Sequence, residues 1–358
     1  MGNRIIGFLL LVTMACKSQI GKESNLYQES HRPQFHFSPP QMWMNDPNGM
    51  VFYDGEYHLF YQNNPDSTVW GPMHWGHAVS KDLVHWENLP IALYPDSLGF
   101  IFSGSAVVDW KNTTGLGETS QPPLVAIFTY HNPVQGKSDG VSFQSQAIAY
   151  STDKGRSWQK YSGNPVLPNP GERDFRDPKV FWYETTSQWK MVLAVKDRIF
   201  IYSSPDLKVW HKESEFGDQS GAHEGVWECP DLFPLSINSK EKWVMLVSLN
   251  RGGPNGGSAT QYFIDRGQSG KIDFTKEFVR QISAPRIKKS GTINFDAYID
   301  VASLELFIDD GTVVLTSVFF PRQDLNTILI ETAEELVIKN VKLSKLESIW
   351  NNVNKPKN

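Results

Sequence analysis

Three acidic residues share one setting, one or two positions ahead of a proline. They are Asp46 in Trp43-Met44-Asn45-Asp46-Pro47-Asn48-Gly49, Asp177 in Asp174-Phe175-Arg176-Asp177-Pro178, and Glu228 in Trp227-Glu228-Cys229-Pro230-Asp231. A proline pushes the residue before it toward extended geometry, and Asn48-Gly49 supplies a turn just beyond Asp46. A carboxylate held this stiffly suits a nucleophile, and it suits an Asx-turn acceptor equally well. Taken together, the three match what retaining glycoside hydrolysis needs: a nucleophile and a proton donor about 5–5.5 Å apart, flanking an oxocarbenium-like transition state. Asp46 would attack the anomeric carbon. Glu228, pocketed by Trp227 and Cys229, would protonate the leaving oxygen. Asp177, beside Arg176, would stay ionised and hydrogen-bond the sugar hydroxyls.

Residues so far apart in sequence meet only in a fold that gathers distant strands at one opening. Short runs rich in Val, Ile, Phe, Tyr and Trp alternate from Phe35 onward with Gly, Pro, Asn and Asp clusters, and no window carries a helical apolar stripe, so the body is all-β. Met50–Tyr53 and Tyr57–Tyr61 flank Asp54-Gly55 as a hairpin. An internal echo, Ser80-x-Asp82-Leu83-x-x-Trp86 and Ser204-x-Asp206-Leu207-x-x-Trp210, has a looser copy from Ser151 through Asp153 to Trp158. Each copy follows a strand-like run, which is the mark of a β-propeller built from recurring four-stranded units. The innermost strands of a propeller all end around one central opening. The C-terminal third reads differently: Phe295–Ile308, a turn at Asp309-Asp310-Gly311, and Thr312–Phe320 form a long alternating hairpin suited to a β-sandwich.

The chain of 358 residues carries a net charge of −5 and no basic tract interleaved with aromatics, which argues against a nucleic acid partner. Its 13% aromatic share suits sugar-stacking surfaces. His74, His77 and His85 do not read as a metal set, because i and i+3 of an extended segment point to opposite faces. No metal or other cofactor is expected. At the N-terminus, Arg4, the apolar run Ile5–Val12 and the small residues before Cys16 read as a short secretory signal. Val12-Thr13-Met14-Ala15-Cys16 resembles a bacterial lipoprotein cleavage box, the alternative being plain cleavage nearby. The expected organisation is a signal peptide over 1–15, a lipid-anchored linker over 16–34, a propeller over 35–264 and a partial sandwich over 265–352. The membrane would be touched only through the lipid on Cys16, leaving Cys229 without a disulfide partner. The sequence does not specify an oligomeric state.

WMNDPNG, FRDP and ECPDLF, in this order, resemble the signature motifs of glycoside hydrolase family 32, the β-fructofuranosidases. Phe60-Tyr61-Gln62, Trp70-Gly71-Pro72-Met73-His74-Trp75-Gly76-His77 and Phe102-Ser103-Gly104-Ser105 extend the likeness from about Phe35 to Phe263. The resemblance implies a five-bladed propeller with a C-terminal sandwich, a retaining mechanism and fructose-containing oligo- or polysaccharide substrates (sucrose, inulin or levan). Asp46 matches the family nucleophile, Glu228 the acid/base and Asp177 the transition-state stabiliser. Asn45, Gln62, Trp70, Phe102, Ser103 and Arg176 fall at positions lining the fructose subsite, although Trp70 and Phe102 alone would serve equally as core aromatics. After Ile264 the family pattern would continue through the rest of a fourth blade, a fifth blade and the first half of the sandwich. This chain passes directly to Asp265-Arg266-Gly267-Gln268-Ser269-Gly270, which resembles a segment well inside the sandwich. The difference is on the order of 150 residues, about one domain's worth. The expectation is therefore an incomplete propeller and a partial sandwich, in a hydrolase or in an impaired relative that only binds fructose-containing glycans.

Overall fold

A computed structural model describes residues 26–350, apart from 139, 142, 224, 251–260, 277, 279–280, 289–290, 326 and 332–336. The signal segment and Cys16 lie outside the described residues. Among the described residues no helix is long and apolar enough to cross a membrane.

Among the described residues the expected propeller is present as three four-stranded meanders followed by a two-stranded sheet. The first contains β1 (Trp43–Tyr53), β2 (Glu56–Asn64), β3 (His74–Ser80) and β4 (Trp86–Leu93). The second contains β5 (Phe100–Val108), β6 (Leu124–His131), β7 (Gln144–Ser151) and β8 (Gln159–Lys160), with one short helix, α1 (Pro133–Ser138), between β6 and β7. The third contains β9 (Phe175–Tyr183), β10 (Gln188–Val195), β11 (Arg198–Ser204) and β12 (His211–Phe216). β13 (Trp227–Ile237) and β14 (Lys240–Leu249) pair only with each other among the described strands. The first strands of successive sheets lie side by side, β1 against β5, β5 against β9, and β9 against β13.

Apolar faces of adjacent sheets make the core. Phe60, Trp75, Ile101 and Phe128 are fully buried between the first two sheets, and Ile127, Ile148, Phe175 and Met191 between the second and third. The three echoes recognised in the sequence close the turns after β3, β7 and β11. Asp82 Oδ1 accepts the Val84 and His85 N–H groups at 2.9 and 2.7 Å, and the Trp86 indole donates to the Leu83 carbonyl at 3.2 Å. Asp206 Oδ1 accepts Lys208 and Val209 N–H at 2.9 Å each, and Trp210 donates to the Leu207 carbonyl at 3.1 Å. In the longer copy Asp153 accepts Ser157 N–H at 2.9 Å and Trp158 donates to the Gly155 carbonyl at 3.1 Å. Short polar side chains thus satisfy turn amides that no ladder reaches.

The C-terminal part departs from expectation in one respect. The anticipated long strand Phe295–Ile308 folds back on itself as β17 (Phe295–Ile299) and β18 (Ser303–Ile308), with β19 (Val313–Val318) completing a three-stranded sheet. The break falls at Asp300, whose buried carboxylate accepts the N–H groups of Gln34 at 2.9 Å, Phe35 at 3.3 Å and Val301 at 2.7 Å. A carboxylate committed to three amides cannot sit in a pleated strand. The hairpin of β15 (Gln261–Asp265) and β16 (Gln281–Pro285) packs on this sheet through Tyr262, Ile264 and Ile282 against Ile308, Val313 and Leu315. The segment ahead of β1 ties this part to the propeller. Phe37 packs on Tyr61 and Trp86, Tyr27 stacks on Trp350 at 3.9 Å, and His36 bridges Asp300 and Glu305.

Candidate active site

The three proline-marked segments do not form turns ahead of their strands; each is a β-bulge inside the innermost strand of its sheet. In β1, Asn45 pairs with Gln62 and Pro47 with Tyr61, so Asp46 is the extra residue, with φ +34°. In β9, Asp177 and Pro178 together oppose one residue of β10, and Asp177 has φ +63°. In β13, Cys229 and Pro230 bulge directly after Glu228, with Cys229 at φ +46°. Proline cannot donate to a ladder and is found at sheet edges and bulges. The innermost strand is an edge of its meander, so both conditions hold. A fourth bulge, in β5, lifts out Ser103 between Phe102 and Gly104. There Gly104 is required: a Cβ would stand 2.0 Å from the Ile127 carbonyl oxygen. Bulges re-aim side chains, and here Asp46 meets Ser103, Arg176 meets Glu228, and Asp177 meets the Cys229 amide, with the charges of Asp46 and Glu228 felt at Asp177.

Neighbouring sheets hold the Asp177 bulge on both sides. Its N–H donates to Thr129 Oγ1 at 3.1 Å, the Thr129 hydroxyl donates to Gln146 Oε1 at 2.6 Å, and Gln146 Nε2 returns a bond to the Phe175 carbonyl at 2.8 Å. Beyond the proline, Ser105 donates to the Pro178 carbonyl at 2.9 Å and accepts Val180 N–H at 3.0 Å. Cys229 N–H, from β13, donates to Asp177 Oδ2 at 3.0 Å. Two buried polar residues on β6 and β7 therefore replace the ladder bonds that the bulge breaks.

Arg176 is the electrostatic centre. It is almost fully buried, donates through Nη1 to Asp174 Oδ1 at 2.6 Å and through Nη2 to Glu228 Oε1 at 2.8 Å, and brings Nε to 3.9 Å from Asp177 Oδ2. One guanidinium thus links two of the three motifs with charge-assisted bonds. Asp46 accepts a 3.0 Å bond from the Ser103 hydroxyl and is exposed, whereas Asp177 is buried. Burial raises the Asp177 carboxyl from 3.8 to about 6, which leaves it largely ionised at neutral pH. Arg176 and the Cys229 amide oppose that rise, and the charges of Asp46 and Glu228 add to it. Cys229 shows part of its surface at the opening, yet its thiol is pushed well up, by burial first and then by Asp177, Asp46 and Glu228. It is a neutral thiol in a ring of carboxylates.

The secondary residues gather around the same opening. Asn45 Oδ1 accepts the Trp43 indole N–H at 2.7 Å, which fixes its amide. Gln62 is 3% exposed, and its Nε2 finds no partner among the described residues, leaving a donor beside Asn45. Trp70 is exposed and meets the half-buried Phe102 edge to face at 6.1 Å. Sequence reasoning missed Thr129, Gln146 and Asp174. A polar residue amid Leu124-Val125-Ala126-Ile127-Phe128-Thr129 was the available signal for the first.

A bladed β-scaffold that turns three carboxylates and an arginine toward one opening defines a candidate glycosidase site. The sequence model for the glycosyl hydrolases family 32 N-terminal domain matches residues 36–307, and the chain belongs to that family. It is 59% identical to the levanase of Bacillus subtilis over 263 residues, covering 73% of this chain and 38% of that protein. It is 45% identical to an extracellular exo-inulinase of Aspergillus niger, covering 72% and 52%. Among solved structures, exo-inulinase from Aspergillus awamori aligns with a TM-score of 0.74 at 28% identity, over 82% of this chain and 94% of that one. The fructofuranosidase of Schwanniomyces occidentalis complexed with fructose aligns at 0.58 and 43% identity, over 68% and 48%. The chain spans about half the length, or less, of the curated relatives it matches.

Proposed function

We propose that the chain is a retaining glycoside hydrolase that releases terminal β-D-fructofuranosyl residues from levan, inulin or sucrose. One observation carries the reading: Arg176 and the Cys229 amide tie Asp177 and Glu228 together at the opening where Ser103 holds Asp46. Asp46, oriented by Ser103, attacks the anomeric carbon, and Glu228 gives its proton to the leaving oxygen. The fructosyl–Asp46 ester then yields to a water deprotonated by Glu228. Asp177 accepts hydrogen bonds from the ring hydroxyls. Asn45, Gln62 and Arg176 bind polar groups of the fructosyl unit, and Trp70 with Phe102 cover its apolar edge. Fructose release from sucrose, inulin and levan, set beside an Asp46→Asn control, tests this; wild-type release no greater than the control refutes it.

The exposure of Asp46 favours a second reading, a relative that binds fructose-containing glycans without turnover. A melting temperature that rises with fructose, in a chain with no release, would select it. We also propose secretion and lipid attachment at Cys16, since the levanase and exo-inulinase relatives include extracellular ones. Fatty-acid labelling in a bacterial host that persists in Cys16→Ser would exclude the anchor.

A further inference from the structure

His131, the last residue of β6, has no part in the chemistry described above, yet it lies directly behind the opening. Its imidazole stacks flat on Phe102, with ring centres 4.2 Å apart and planes 8° apart. Phe143 closes its other flank edge-on at 5.1 Å, and Gln144 Nε2 lies 3.4 Å from His131 Nδ1. The exposed Trp70 meets Phe102 edge to face at 6.1 Å. The Phe102 backbone is anchored separately, its carbonyl accepting the Trp75 indole N–H at 3.0 Å. Phe102 pairs with Thr129 on β6, and the bulge that lifts out Ser103 follows it directly. Among the aromatic rings of the described residues, His131 is the one that Phe102 stacks on face to face.

We propose that His131 is a positioning residue that sets the orientation of Phe102 at the fructosyl pocket and so determines sugar affinity. Its own ring never touches the sugar. The inference rests on the fructoside reading above. A neutral ring serves this purpose, and burial together with the charge of Arg176 holds His131 down at about 4, so it carries no charge across the neutral range. A face-to-face aromatic contact of this kind has an effect of about three- to ten-fold on an equilibrium.

The test is a double-mutant cycle on the full chain with His131→Ala, Phe102→Ala and the pair, plus His131→Phe, read as KM and kcat on sucrose and as Kd for fructose from tryptophan fluorescence. His131→Ala should raise KM and Kd about three- to ten-fold with kcat changed less than about two-fold. His131→Phe should restore both, and His131→Ala should add nothing in the Phe102→Ala background. Unchanged KM and Kd in His131→Ala, additive losses, or failure of His131→Phe to rescue would overturn the inference while leaving the fructoside reading intact. A wild type that neither binds fructose nor outperforms Asp46→Asn overturns both.

Discussion

Replacing Arg176 by glutamine isolates the balance that sets the Asp177 carboxyl. Burial drives that group up to about 6, and the strongest opposition is the guanidinium, whose Nε lies 3.9 Å from Asp177 Oδ2. Coulomb's law at an effective dielectric of about 20 gives an upper bound of about 4 kcal/mol for a unit charge at that distance, or about three pH units. Arg176 also neutralises Glu228 and Asp174, so its removal leaves more negative charge around Asp177 and pushes the carboxyl in the same direction. The assay is kcat/KM for fructose release against pH, which reports ionisations of the free protein. The wild-type profile should fall on the acid side through about 6, and in Arg176→Gln this limb should move up by about one to three units while the plateau drops. A wild-type limb below about pH 5, or a limb that does not move in the variant, would refute the electrostatic account.

Three further outcomes follow from buried groups. A carboxyl raised from 3.8 to about 6 destabilises the fold above the higher value by about 3 kcal/mol, a cost that vanishes below the lower one. Asp177→Asn should therefore be more stable than wild type to urea at neutral pH while losing fructose release; lower stability would contradict the assignment. His58 and His77 are fully buried, bonded to each other at 3.0 Å, and both depressed by burial, His58 to about 4. A depressed base contributes stability above its ordinary 6.5 that is lost as pH falls, about 2 kcal/mol by about pH 5 from His58 alone. A His58→Leu/His77→Leu variant with the same acid loss as wild type would show the pair irrelevant. Asp300→Ala removes the acceptor shared by Gln34, Phe35 and Val301 and should cost about 2–4 kcal/mol. Amide exchange at Gln34 and Phe35 should accelerate; unchanged exchange would mean that the segment is held elsewhere.

What the sequence could and could not disclose follows from the range of the forces involved. The stiffening at Asp46-Pro47, Asp177-Pro178 and Cys229-Pro230 was readable because its cause is covalent, although the sequence pointed to turns at strand edges and the structure has bulges inside the strands. The Asp54-Gly55 hairpin and the three Ser–Asp–Trp turns were readable for the same reason, since every bond in them closes within a few residues. The break at Asp300 depends on amides more than 260 positions away, and local alternation predicted an unbroken strand. Adjacency in Arg176-Asp177 suggested a tight pair, whereas successive side chains of a strand diverge, and burial lifts the Asp177 carboxyl to about 6. Arg176 also reaches across to Glu228 on the next sheet, while its Nε at 3.9 Å opposes the rise that burial imposes on Asp177. Roles tied to backbone chemistry are thus written locally, while charge states are decided by whichever side chains the closing sheets bring opposite one another. Activity should accordingly be more sensitive to packing behind the opening, at Thr129, Gln146 and Gly104, than the motifs themselves suggest.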